Sequence, residues 1–181
     1  MICPDELLQL VFSLGADAAA LCDAELIRYD AQFRDICRSN ACGMYGKCWM
    51  CPPAVGSIEE MMAKAKSFDH LLLFQTVDKL EDAFDFEGMM AGGRRMDNLL
   101  SSLGQALSSM QEGSFLLMGA GGCRVCESCT MKDGLPCRFP KKAVAGFEAY
   151  GIDVSDLAVK AQLKYNNGKN TVTFFGGVLW R

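Results

Sequence analysis

SFLLMGAGGCRVCESCTMKDGLPCRFP, residues 114–140, joins two different ways of building a protein. Ser114–Met118 is a short, dense apolar run and reads as a buried strand. The chain then changes character. Gly119-Ala120-Gly121-Gly122 leads into Cys123, Cys126, Cys129 and Cys137, set among turn-forming and charged residues. A segment so poor in hydrocarbon cannot fix its shape by burial. Its thiols must fix it instead.

The spacing C-x2-C-x2-C, with a fourth cysteine followed three residues later by Pro140, is similar to the iron–sulfur loop of bacterial ferredoxins. The match is partial, because seven residues separate Cys129 from Cys137 where the ferredoxin run has three. A second group lies upstream, in CRSNACGMYGKCWMCPPAVG. There Cys37, Cys42, Cys48 and Cys51 are arranged as C-x4-C and C-x2-C, joined by five residues, with Pro52 and Pro53 behind them. The two cysteine-rich loops span 37–53 and 121–140. Each is read as a metal or cluster site.

Bulk properties favour that use of cysteine. The chain has 181 residues, is half apolar and carries a net charge of −4, enough for one domain, 1–181, with a real core. An acidic protein is a poor partner for nucleic acid, whose phosphates select basic surfaces. The apolar runs are far too short to cross a bilayer. MICPDELLQ lacks the positive flank of a secretory signal, so a cytoplasmic location is expected. In a reducing compartment, ten cysteines point to metal or redox chemistry rather than disulfides. Eight fall in the two groups. Cys22 is expected as a buried inert thiol, and Cys3 has no assigned role.

The rest of the chain alternates helices with strands. Pro4–Leu14 reads as a helix that Gly15 stops. Ala18–Asp23 is a strand candidate, which Glu25–Tyr29 extends or follows with another. Ser57-Ile58-Glu59-Glu60 is a capping box, with Ile58, Met61, Met62, Ala65 and Phe68 at helical spacing behind it. His70–Val77 is a buried strand, and the charged stretch Asp78–Glu87 follows. A long helix then carries Leu99, Leu100, Leu103 and Leu107 to about Met110, with Gly92-Gly93 interrupting its start. Asp153–Ala161 is an amphipathic helix. Asn167-Gly168 marks a turn, and Thr171–Leu179 is a strand in which Gly176-Gly177 predicts a bulge. This pattern implies an α/β sandwich with one mixed sheet of about four or five strands and helices packed on it. Both cysteine groups come after a predicted strand, so the two loops are expected close together.

Taken with DFEGMM, EAYGIDV and TVTFFGGVL, the two cysteine motifs resemble an uncharacterised bacterial and archaeal family of predicted metal-binding proteins. The resemblance implies metal binding at Cys37, Cys42, Cys48, Cys51, Cys123, Cys126, Cys129 and Cys137. It supplies no reaction. The family commonly has a serine before the EAYG element, where this chain has Gly146-Phe147.

Three functions remain open on these residues. One is an iron–sulfur protein with one or two [4Fe–4S] clusters that passes electrons to a partner protein or small molecule. Another is a zinc-stabilised interaction module, and the third a metalloenzyme with an open coordination position. The first group's two knuckles suit zinc better than the crowded second group does. Both loops are locally basic, with Arg38 and Lys47 in one and Arg124, Lys132, Arg138, Lys141 and Lys142 in the other. Tyr45 and Trp49 would shield a cluster from water, or simply pack. Other features carry less. Gly119–Gly122 leads into cysteines where a dinucleotide fingerprint needs a helix. His70 stands alone. Arg94 and Arg95 read as a solvated face before they read as an anion site at a helix start. Glu148 and Tyr150 lack a base–nucleophile constellation.

Overall fold

In a computed structural model that describes residues 3–109 and 114–181, the chain forms an α/β fold around one mixed sheet. The elements are α1 (Pro4–Ser13), β1 (Ala18–Asp23), α2 (Phe33–Arg38), α3 (Ile58–Lys66), β2 (His70–Lys79), α4 (Phe86–Ala106), β3 (Phe115–Gly119), β4 (Ala145–Gly146), α5 (Val154–Lys160) and β5 (Thr171–Trp180). A short 3-10 turn at Thr130–Asp133 lies within the second cysteine loop, and another at Phe147–Tyr150 follows it. Met110, where the long helix was expected to end, lies outside the described residues.

The strand order is β1-β2-β5-β3-β4. Every pair is antiparallel except β3–β4, which is parallel over two residues. Thus β2, α4 and β3 make a helical crossover between two like-directed strands, and β5 is inserted between them. Period-two alternation sends Leu71, Leu73, Phe175, Leu179, Leu116 and Met118 to one face, against α3, α5 and the Phe147–Tyr150 turn. It sends Leu72, Phe74, Val178 and Trp180 to the other, against α1 and the apolar stripe Met96, Leu99, Leu100 and Leu103 of α4. Both faces are covered, which is why β2 reads as a continuous apolar run.

The capping box forms as expected. Ser57 accepts from the Glu60 amide at 3.2 Å while the Glu60 carboxylate accepts from the Ser57 amide at 2.9 Å. Glu25–Tyr29 makes no strand: a 3-10 turn at Ala24–Leu26 is followed by a single bridge from Tyr29 to Ile152. Two glycine readings are corrected. Gly92 and Gly93 do not interrupt a helix, since α4 runs through them. They are buried there, and a Cβ on Gly92 would sit 2.9 Å from Asp78 Oδ2 and 3.1 Å from the Phe174 ring. Nor do Gly176 and Gly177 make a bulge. The β2–β5 register passes through them unbroken, and their missing side chains leave room for the rings of Phe74 and Phe147. Gly92, Gly176 and Gly177 serve close approach rather than backbone irregularity. Among the described residues, no helix is long and apolar enough to cross a membrane.

Candidate metal centre

The second cysteine loop leaves the carboxyl end of β3, as the sequence requires. The first does not follow a strand: α2 delivers it, with Cys37 in the helix itself. Local order is nonetheless strong there. Arg34, one turn before Cys37, is only 7% exposed. Its guanidinium donates to Gly56 O at 2.8 Å and Ala149 O at 3.4 Å, so it ties α2 to the loop's exit and to the Phe147–Tyr150 turn. Both acceptors are neutral carbonyls, so the positive charge stays available to its surroundings. It acts on Cys37, whose thiol is raised by burial and by the nearby Glu148 charge while Arg34 opposes both.

The loops meet side by side. Trp49 Nε1 donates to Leu135 O at 3.0 Å across the junction. A Cβ on Gly122 would lie 3.1 Å from Cys51 Sγ and 3.2 Å from Met44 Cε, so the second loop passes close against the first where a side chain would crowd both. Cys48, fully buried, stands between them. It lines a small enclosed cavity together with Cys123, Cys126, Cys129 and Cys137. Trp49, Met50, Val125, Phe139 and Ala143 add apolar surface to the wall, and Thr130 lines it as well. Tyr45, the other aromatic of the first loop, is not part of that wall.

Crowding shows in the acidities. Cys48 pushes the Cys123 thiol far above the ordinary range, and burial adds to it. Cys51 is lowered because the Cys48 thiol hydrogen-bonds to it, against the effect of burial. Cys48 itself is drawn down by Cys123 but pushed up by Cys51 and by burial, and ends raised. Packed thiols that share protons cannot all ionise without a cation beside them. A metal or a cationic cluster core replaces those protons, and in that chemical sense the donor set fits one. Among the described residues, no three Cys, His, Asp or Glu side chains already converge as a closed single-ion shell.

The remaining candidates separate cleanly. Cys3 is exposed, and Cys22 is half-buried on β1 rather than fully buried. His70 is exposed beside Trp180. Arg94 and Arg95 lie inside α4, not at its start. Arg95 is engaged with Asp17 at 3.0 Å, Asp78 at 3.1 Å and Gly15 O at 2.7 Å. Tyr150 is buried and its hydroxyl is pushed up to about 12 by that burial. Glu148 is raised by burial too, and it faces the first cysteine group. Arg34 is the residue that sequence reading passed over. Its position one helical turn before Cys37 was the available signal.

A model of the family described as "Predicted metal-binding protein (DUF2284)" matches residues 20–180. No curated protein matches the chain. No solved structure matches it either. The match takes in both cysteine loops and every strand but the first two residues of β1. The chain belongs to this family of predicted metal-binding proteins.

Proposed function

We propose that the two loops hold iron–sulfur clusters, one or two of the [4Fe–4S] type, and that the protein passes electrons to a partner protein or small molecule. The observation that carries this reading is the shared cavity: four thiols of the second loop and Cys48 of the first line one small, apolar-walled space. Five thiols line it and no carboxylate or imidazole does, which suits iron–sulfur chemistry. Cys123, Cys126, Cys129 and Cys137 are the ligands at the second loop, and Cys37, Cys42, Cys48 and Cys51 at the first. A cluster held by four thiolates has no open position for substrate, so electron transfer is its natural use. Trp49, Val125 and Phe139 keep water out, and Arg34 offsets thiolate charge at the first loop. The contact between Cys48 and Cys123 brings the two sets of ligands together, as a two-cluster relay needs.

A zinc site is the second reading, and one observation favours it. Cys48 and Cys51 form a buried C-x2-C knuckle of the kind that structural zinc uses. Metal and sulfide analysis of protein purified without oxygen decides between the two. Two [4Fe–4S] clusters give brown protein with about eight irons and equal sulfide. Colourless protein with about two zinc ions and no sulfide defeats the electron-transfer reading. Replacing Cys126 by alanine should remove the second site's metal and leave the first site's in place.

A further inference from the structure

Behind the second loop lies a cavity of about 360 Å³ that the metal reading does not use. Its floor is the carboxyl end of β3 and the Gly119–Gly122 loop. One wall is α4, through Asp97, Asn98, Leu100 and Ser101, and the other is Phe139, Lys142 and Val144. Cys123 lines this cavity as well as the thiol-lined one. The two spaces therefore share a wall at a proposed ligand.

The volume is at the metabolite end of ligand pockets, and the lining mixes apolar surface with a few polar groups, as such sites do. The placement follows from the helix. Arg94, Asp97, Asn98 and Ser101 recur at i, i+3, i+4 and i+7, a polar stripe beside the apolar stripe that α4 buries. Asn98 also borders the neighbouring groove that holds Arg94. Gly119 permits the close packing, since a Cβ there would lie 2.7 Å from Leu100 Cδ1.

Charge selects the occupant. Arg124 pairs with Asp97 at 3.3 Å, so these two offset each other. Lys142 has no such partner in the lining. Its ammonium lies 5.8 Å from the Phe139 ring. The pocket thus carries a net positive charge in a protein of net charge −4, next to a flat apolar surface.

We infer that this cavity binds a small organic anion, a carboxylate or phosphate on an apolar body, beside Cys123. The anion meets Lys142 and the Arg124 guanidinium, and its body rests on Phe139, Val144 and Leu100. The inference deepens the electron-transfer reading, because a molecule held there is separated from the proposed cluster only by its ligand residue. It supplies the small-molecule partner that reading leaves open.

The test uses protein purified without oxygen, with its metal content measured first, and titrates benzoate and inorganic phosphate by calorimetry. At least one should bind at millimolar concentration or below. Lys142→Gln changes an exposed side chain and should weaken binding about tenfold. Ser101→Phe fills the cavity from α4 and should abolish binding with metal content unchanged. In metal-loaded protein, saturation should also alter the visible absorption or circular dichroism of the site. Benzoate alone binding identifies a carboxylate pocket, and phosphate alone a phosphate pocket. Failure of both anions to bind, or binding that neither substitution alters, overturns the inference. Binding that depends on Lys142 in protein that holds no metal keeps the pocket and defeats the electron-transfer reading instead.

Discussion

The two cysteine loops have similar composition and are built differently. In the first, Cys48, Cys51 and Pro52 are buried, and Arg34 anchors the helix that carries Cys37. In the second, Thr130 is the buried residue between Cys123 and Lys142; the four thiols are half-buried, and most of the rest is exposed. Thr130 Oγ1 donating to Pro136 O at 2.9 Å and Arg138 donating to Ser128 O at 3.1 Å are among its own restraints. One loop is held by its own packing, and the other has few restraints of its own. On the proposed reading, metal therefore contributes folding energy unequally to two loops that look alike in sequence.

The largest effect should come from metal removal. Stripping metal with a chelator, oxygen excluded, should leave amides 123–139 exchanging freely while β2 and β5 keep full protection. Thiolate-metal sites contribute on the order of 10 kcal/mol in small zinc peptides, so the contrast should be plain by hydrogen exchange. Equal loosening of both loops would end the comparison. Next, Arg34→Ala strips one buried and one part-buried carbonyl of a charged donor and should cost about 2–3 kcal/mol in denaturant unfolding. Its exchange signature should appear at α2 and residues 37–56, with the second loop spared.

Trp49→Phe removes the hydrogen bond to Leu135 and should cost about 1 kcal/mol. Here the looser segment should be the second loop, because the first keeps its own anchors. The smallest effect is at Glu148. Burial raises its carboxyl above the usual 4.5, so the folded state holds that proton more tightly than the unfolded one. Stability from this residue is complete below about pH 4.5 and declines as pH rises through the raised value. Glu148→Gln should therefore stabilise the protein at pH 7, with the gain vanishing below about pH 4.5 in paired thermal melts. A loss of stability at pH 7 would show instead that the carboxylate serves the first loop's charge balance.

What the sequence disclosed follows from where each force is local. The capping box, the apolar stripe of α4 and the dense apolar run of β2 are written within a few residues, and they are found as read. The cysteine loops were equally legible, because thiols at short spacing advertise themselves. The misreadings are long-range. Gly92-Gly93 and Gly176-Gly177 look like local breaks, whereas Gly92, Gly176 and Gly177 answer the Phe174, Phe74 and Phe147 rings, neighbours that spacing cannot reveal. Arg34 reaches Ala149 across more than a hundred residues. Likewise the position of β5 between β2 and β3 is set by pairing between distant segments, which no window of sequence contains.

That central position of β5 governs the order of assembly. Until residues 171–180 have been synthesised, β2 and β3 have no strand between them, and the sheet stays open along its middle. The stem from which residues 121–140 project is then loose, and their thiols have no fixed scaffold on which to gather. On the proposed reading, metal enters the second loop only after this strand has docked between β2 and β3. A chain cut at Asn170 should emerge from cells with its cysteines present and its second site empty.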